Sequence, residues 1–131
     1  MPKVLIAEDS NLIQRLLKVA LQTDKSIEII STVADGEQAY LETIKLKPDV
    51  VIMDYRMPKM NGADALKKIM SESPTSVIFV SSASEVKADL LKLGAAAFID
   101  KPKELDFTSI AQKLINDIKI YSRIKPAKRT Y

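Results

Sequence analysis

Acidic residues directly follow two short apolar runs of the sequence. Glu8 and Asp9 come after residues 4–7, and Asp54 comes after residues 50–53. Carboxylates that are brought together repel one another, so a cation is needed to keep all of them ionised. Oxygen ligands favour a hard cation such as Mg²⁺, which binds one or two carboxylates and keeps waters and phosphate oxygens. Such an ion leaves a carboxylate oxygen free to attack phosphorus, so these acids predict metal-assisted phosphoryl transfer.

A hydroxyl and an amine follow two further apolar runs. Ser81 and Ser82 come after residues 77–80, and Lys101 comes shortly after residues 96–99. In phosphoryl transfer, such groups bind the phosphoryl oxygens, because the reaction depends mostly on positioning and electrostatics. No general base is required, since a carboxylate is already a nucleophile at neutral pH.

The composition excludes several other kinds of chemistry. The 131 residues include neither histidine nor cysteine. These residues therefore cannot form a Ser-His-Asp or Cys-His catalytic arrangement, a histidine-based zinc site or a phosphohistidine carrier. The lack of cysteine also excludes disulfides and fits a cytoplasmic location, which we expect for this chain.

The reactive residues need a scaffold that brings the ends of the apolar runs together. Short continuous apolar runs predict strands that are buried on both faces, as in a parallel sheet. The predicted strands lie near residues 4–7, 27–33, 50–53, 77–80 and 96–99. Between and after them, helical apolar spacing and flanking cap or breaker residues predict five helices. These helices lie near residues 11–21, 36–47, 62–73, 84–93 and 107–121.

The alternation of strands and helices predicts the fold class. It favours an α/β domain in which helices cover both faces of a doubly wound parallel sheet. Ligands bind to such open sheets at the carboxyl ends of the strands, where the acids, the hydroxyl and the lysine would all lie. We expect this domain to occupy residues 1–121.

Four blocks of the sequence resemble the signature of response-regulator receiver domains. They are Glu8-Asp9, Asp54-Tyr55-Arg56-Met57-Pro58 with Asn61-Gly62, Val80-Ser81-Ser82 and Lys101-Pro102. The resemblance extends over about residues 3–120. It implies a flavodoxin-like fold with five parallel strands in the order 2-1-3-4-5 and five helices. It also implies a two-component signalling system, in which a sensor histidine kinase is the phosphodonor.

The resemblance assigns roles to the acidic residues. Asp54 would be the phosphoacceptor. Asp9 and Asp54 would bind Mg²⁺ or Mn²⁺, while Glu8 would act through a water molecule and Arg56 through its backbone carbonyl. The chain would then catalyse only its own phosphorylation and dephosphorylation.

The resemblance also assigns roles to residues on the other strands. Ser81 would be the hydroxyl that moves toward the phosphoryl group, and Lys101 would be the amine that contacts it. Phe98 would be a switch aromatic, although a position in the core explains this residue equally well. The peptide bond between Lys101 and Pro102 is cis in the family, so we expect a cis bond here.

The sequence departs from the family pattern at several positions. Glu8 replaces the commoner aspartate, and its longer side chain is expected to alter metal affinity. Arg56 places a long cation beside the path of the attacking water, so we expect it to change the lifetime of the phosphoryl group. The segment from Ser81 to Lys101 is about two residues shorter than is usual in the family. We therefore expect the fourth helix to be short or shifted.

Further stretches resemble the receiver half of a chemotaxis methylesterase. They include Asp35-Gly36-Glu37-Gln38-Ala39, Lys47-Pro48-Asp49, the Ser81-Ser82 pair and Gly94-Ala95-Ala96-Ala97-Phe98. In that family the receiver blocks an esterase active site until it is phosphorylated. A stand-alone chemotaxis-type receiver that acts on a protein partner is an equally good interpretation. A pseudo-receiver, which keeps the fold without phosphorylation, is a third.

The last residues differ in charge from the rest of the chain. Residues 119–131 contain five basic residues and no acidic ones, so residues 1–118 have a net charge of −2 although the whole chain has +3. We interpret residues 122–131 as a basic tail or as the start of an interdomain linker. Nucleic acid or a membrane surface is a less favoured partner for this tail, and we expect neither.

Overall fold

The computed structural model describes residues 1–131 and contains one parallel sheet. Its strands are β1 (Lys3–Ala7), β2 (Glu28–Val33), β3 (Val50–Met53), β4 (Ser76–Ser81) and β5 (Ala97–Asp100). Neighbouring strands all pair in parallel, in the order β2-β1-β3-β4-β5. The expected five-stranded, doubly wound sheet is therefore confirmed.

Five helices connect and cover the strands. They are α1 (Asn11–Gln22), α2 (Gly36–Leu46), α3 (Gly62–Glu72), α4 (Lys87–Leu93) and α5 (Thr108–Tyr121). The first three begin where a polar side chain accepts a hydrogen bond from a backbone N–H of the first turn, which stabilises the helix start. The accepting residues are Ser10, Asp35 and Asn61. None of the helices combines the length and the apolar character that crossing a bilayer requires.

The central strands are apolar throughout because both faces of the sheet are covered. Successive side chains of a strand point to opposite faces. In β1, Leu5 packs toward α2 and α3, whereas Val4 and Ile6 pack toward α1 and α5. Each face therefore has its own buried core, and the two cores hold the strand ends in a fixed register.

The shortest of the five helices is α4. A 3₁₀ turn over Ser84–Val86 precedes its seven residues, and no side chain caps either element. The helix ends at Gly94, whose φ of 117° is unfavourable for residues with a Cβ atom. The predicted position near residues 84–93 is confirmed, but the first turn is tighter than an α-helix.

Residues 122–131, which we call the C-terminal strap, contact the body of the domain. The backbone N–H of Arg129 donates to the carbonyl of Met70 at 3.0 Å, in the last turn of α3. The Arg129 guanidinium donates to the carbonyl of Lys92 at 2.8 Å, and the Tyr131 hydroxyl donates to that of Leu93 at 2.6 Å. The strap thus satisfies carbonyls at the ends of α3 and α4, which α-helices leave without internal partners.

Candidate functional site

The carboxyl end of β1 places two acids next to the start of α1. Glu8 is 2% exposed, and its Oε2 atom accepts a hydrogen bond of 2.9 Å from the backbone N–H of Ser10. Its own backbone N–H donates to Val33 at the end of β2, which fixes the turn out of the sheet. Asp9, the next residue, is exposed. One acid is therefore held rigidly inside the fold while its neighbour faces solvent.

Asp54 lies at the carboxyl end of β3, beside the acids of β1. Its backbone N–H donates to the carbonyl of Ala7 at 3.1 Å, and its side chain is largely buried. The Oδ1 atom accepts a hydrogen bond from the backbone N–H of Tyr55 at 2.7 Å. The carbonyl of Tyr55 accepts one from Gly62 at 2.7 Å, so the start of α3 supports the loop that follows the aspartate.

The three carboxylates form a candidate metal site. Glu8, Asp9 and Asp54 each offer an oxygen that lies within 4.8 Å of the others. The Oε1 atom of Glu8 is buried and lies 2.7 Å from the Lys101 amine, and a carboxylate oxygen can accept a second partner. Burial raises the pKa of Glu8 above its ordinary value, although Lys101 acts in the opposite direction. A buried carboxylate oxygen with spare acceptor capacity, beside two further carboxylates, fits a hard cation.

Lys101 follows β5 and points toward the same acids. Its Nζ atom lies 2.7 Å from Asp54 Oδ2 and 2.7 Å from Glu8 Oε1. Burial acts to lower the pKa of Lys101, but hydrogen bonds and charge from the two acids outweigh burial and raise it. The lysine is therefore a cation at neutral pH. The structure contains no cis peptide bond, so the expected cis bond before Pro102 is wrong. The trans form is the more stable one, and the amine reaches both acids with it.

Ser81 and Phe98 occupy buried positions on neighbouring strands. Ser81, the last residue of β4, is fully buried, and its hydroxyl oxygen accepts a hydrogen bond of 3.1 Å from the backbone N–H of Ala83. Phe98 in β5 is 7% exposed, pairs in register with Phe79, and packs in the core on the α3 side. The structure therefore places Ser81 at the end of its strand, as expected, and Phe98 in the core. Their roles as switch residues stay predictions.

Arg56 has a side-chain partner that the sequence did not predict. Its Nη2 atom lies 2.5 Å from Oε1 of Glu85, and both side chains are exposed. Glu85 belongs to the 3₁₀ turn that precedes α4. The signal that could have identified it is an acid only four residues after Ser81, on the loop next to the one that carries Arg56.

The arrangement suits chemistry at a carboxylate. Asp54 offers a carboxylate oxygen, lies beside two further acids that fit a cation, and directly contacts a lysine. In phosphoryl transfer to a carboxylate, such cations neutralise the charge that accumulates on the transferred group.

Comparison with known proteins identifies the class of domain. The model of the response regulator receiver domain family matches residues 4–114. This chain belongs to that family, so it is a regulatory domain of a two-component signalling system.

Among members of the receiver family, the chain is similar to parts of chemotaxis methylesterases. The chain is 39% identical to a protein-glutamate methylesterase/protein-glutamine glutaminase of Methanococcus maripaludis, over 94% of this chain and 36% of that protein. It is 36% identical to the corresponding protein of Thermotoga maritima, over 95% of this chain and 38% of that protein. The chain therefore spans little more than a third of the length of these curated relatives.

Solved structures give the same grouping. The response regulator domain of Thermotoga maritima CheB superposes with a TM-score of 0.91 at 35% identity, covering 96% of this chain and 99% of that chain. A CheX-CheY-BeF₃-Mg²⁺ complex from Borrelia burgdorferi superposes with a TM-score of 0.76 at 31% identity, covering 87% of each chain. The flavodoxin-like receiver fold expected from the sequence is confirmed.

Proposed function

We propose that this receiver is phosphorylated on Asp54 by a sensor histidine kinase, and that the reaction requires Mg²⁺ or Mn²⁺. The observation that carries the proposal is the position of Asp54, which contacts Lys101 at 2.7 Å and lies within 4.8 Å of Glu8 and Asp9. The similar CheY structure from Borrelia burgdorferi, a complex with CheX, BeF₃ and Mg²⁺, supports the choice of metal.

Each residue of the site has a proposed part in the reaction. When an ion is bound, Asp9 and Asp54 would hold it through their carboxylates, Glu8 would hold it through a water molecule, and Arg56 would contribute its backbone carbonyl. The ion, when bound, neutralises charge on the transferred phosphoryl group. Lys101 binds a phosphoryl oxygen. Its amine is already protonated at neutral pH, so it needs to take up no proton before it binds this oxygen.

The output of the switch is proposed from the same family. Phosphorylation favours a second arrangement of α4, β5 and α5, in which Ser81 moves toward the phosphoryl group and Phe98 changes its packing. Similarity to methylesterase receivers supports control of a chemotaxis methylesterase domain in the cytoplasm. A stand-alone receiver that acts on a protein partner would use the same switch.

Intact-mass measurement after incubation with Mg²⁺ and acetyl phosphate tests the proposal. The wild type and the control Asp64→Asn, which changes an exposed acid in α3, should each gain one phosphoryl group. Asp54→Asn should gain none, and chelation of the metal should abolish the gain in the others. A gain in Asp54→Asn would show that the acceptor is another residue. No gain in any variant, with acetyl phosphate or with a cognate kinase, would favour a pseudo-receiver.

A further inference from the structure

An exposed ion pair joins the two loops that flank the acceptor. Arg56 comes two residues after Asp54, which ends β3, and Glu85 comes four residues after Ser81, which ends β4. These strands are neighbours in the sheet. The 2.5 Å contact between the guanidinium and the carboxylate therefore spans the edge of the sheet at which Asp54 lies.

Two cations lie near Asp54, and their side chains differ in burial and in number of partners. Arg56 is near in the sequence, and Lys101 is near in the fold. Lys101 is only 11% exposed and contacts two carboxylates of the site. Arg56 contacts a single carboxylate, and the side chains of the pair are 61% and 60% exposed. Exposed ion pairs contribute little to stability because water and salt screen them. Arg56 is therefore the cation that is easily released to another anion.

Phosphorylation of Asp54 would supply such an anion. A phosphoryl group carries about two negative charges and three strong acceptor oxygens. A guanidinium binds such a group through two parallel hydrogen bonds, which are stronger than a single contact with a carboxylate. We propose that the Arg56 guanidinium leaves Glu85 and binds the phosphoryl group on Asp54. This inference rests on the proposed phosphorylation of Asp54.

The exchange would act on the start of α4. Glu85 lies in the Ser84–Val86 turn, which has no side-chain cap and leads directly into the seven-residue helix. When Arg56 leaves, this turn loses its ion pair with the loop after β3. The exchange thus connects occupation of the acceptor to the mobility of α4. The exchange also stabilises the phosphoryl group, so Arg56 should lengthen the lifetime of that group.

The variant Glu85→Gln removes the ion pair while leaving the residues of the acceptor site unchanged. Lys113→Gln is the control, because it removes another ion pair, the one that the exposed Lys113 makes with the largely buried Asp117 in α5. We expect unphosphorylated Glu85→Gln to exchange the amide hydrogens of Ser84–Val86 as fast as the phosphorylated wild type. Phosphorylation should then add no further increase in this variant. Lys113→Gln should behave as the wild type in both states.

Arg56→Gln tests the other half of the exchange, since it keeps the backbone carbonyl but removes the guanidinium. Its phosphoryl group, followed by intact mass, should decay several-fold faster than in the wild type, whereas that of Glu85→Gln should not decay faster. An unchanged decay in Arg56→Gln overturns the proposal. So does a phosphorylation-dependent rise in turn exchange that is as large in Glu85→Gln as in the wild type. Absence of a mass gain even in the wild type would instead overturn the proposed function.

Discussion

At the scale of single residues, Glu8 has a carboxylate whose burial disfavours its charge. Burial raises its pKa, and the contact with Lys101 offsets this effect only in part. A carboxyl group of this kind stabilises the fold below its ordinary pKa of 4.5 and loses that contribution as the pH rises through the folded-state pKa. At neutral pH the ionised Glu8 therefore costs stability, which fits a residue kept for binding rather than for folding.

Glu8→Gln should consequently stabilise the protein at neutral pH in the absence of metal. We expect a higher urea midpoint than that of the wild type at pH 7, and equal midpoints near pH 4, where the wild-type residue is protonated. Mg²⁺ should raise the wild-type midpoint more than that of the variant. Glu104→Gln, at an exposed position, serves as the control and should show neither effect. A lower midpoint for Glu8→Gln at pH 7 would mean that the ion pair with Lys101 outweighs burial.

The position of Asp54, Ser81 and Lys101 at one edge of the sheet was predictable, but the contact of Arg56 and the peptide bond before Pro102 were not. Asp54, Ser81 and Lys101 each follow an apolar run, and parallel strands bring such positions to one edge. Glu85 follows no strand directly, and its contact with Arg56 depends on the path of a short turn. The trans bond before Pro102 depends on a small energy difference that the sequence does not reveal.

At the scale of elements, the start of α3 is packed against the loop that carries the acceptor. A Cβ atom on Gly62 would lie 2.5 Å from the carbonyl oxygen of Asp54, 2.7 Å from the Phe79 ring and 2.9 Å from the Cα of Tyr55. Two of these three neighbours are backbone atoms, which cannot move without displacing the loop. The glycine thus allows the helix to approach the site closely.

Gly62→Ala should therefore damage both the fold and the site. We expect the free energy of unfolding to fall by about 1–3 kcal/mol, as is typical of overpacked positions. Phosphorylation by acetyl phosphate should also slow, because the loop after Asp54 is displaced. Ala63→Ser, at the next and partly exposed position, should cost less than about 1 kcal/mol. Urea denaturation and intact mass measure the two effects, and an undisturbed phosphorylation rate would contradict the second.

The elements themselves were predictable because their causes are local. Continuous apolar runs predicted the strands. Apolar spacing with polar or breaker residues at its ends predicted the helices, and the structure shows that Ser10, Asp35 and Asn61 cap three of them. The 3₁₀ turn before α4 was not predictable, since no capping or periodic signal distinguishes it from a first helical turn.

At the scale of the whole molecule, the C-terminal strap joins the last residues to two helix ends. Arg129 bridges the ends of α3 and α4, and Tyr131 adds a hydrogen bond to α4. The basic composition of residues 122–131 predicted a tail or linker but not these contacts. Hydrogen bonds to distant carbonyls leave no periodic pattern in a sequence.

Removal of residues 125–131 should destabilise the domain by about 1–2 kcal/mol, the sum expected for a few partly exposed hydrogen bonds. The melting temperature should fall, and the amides of α4 should exchange faster than those of α1. Lys128→Ala is the control, because it removes a charge of the strap but none of the hydrogen bonds made by Arg129 and Tyr131. Equal exchange of α4 in the shortened and full chains would show that the strap does not support this helix.

The strap also determines where mechanical load enters the domain. A pull on the polypeptide beyond Tyr131 would first act on the hydrogen bonds to Leu93, Lys92 and Met70. It would reach α5 only after these bonds, and the one between Ser76 and Ile124, had broken. Two of the three hydrogen bonds to helix ends are made to α4, which is the shortest helix and lacks a capping side chain, so much of the tension would fall on the helix with the least support. A neighbour tethered at this end would therefore disturb α4 by traction alone, without touching its exposed face.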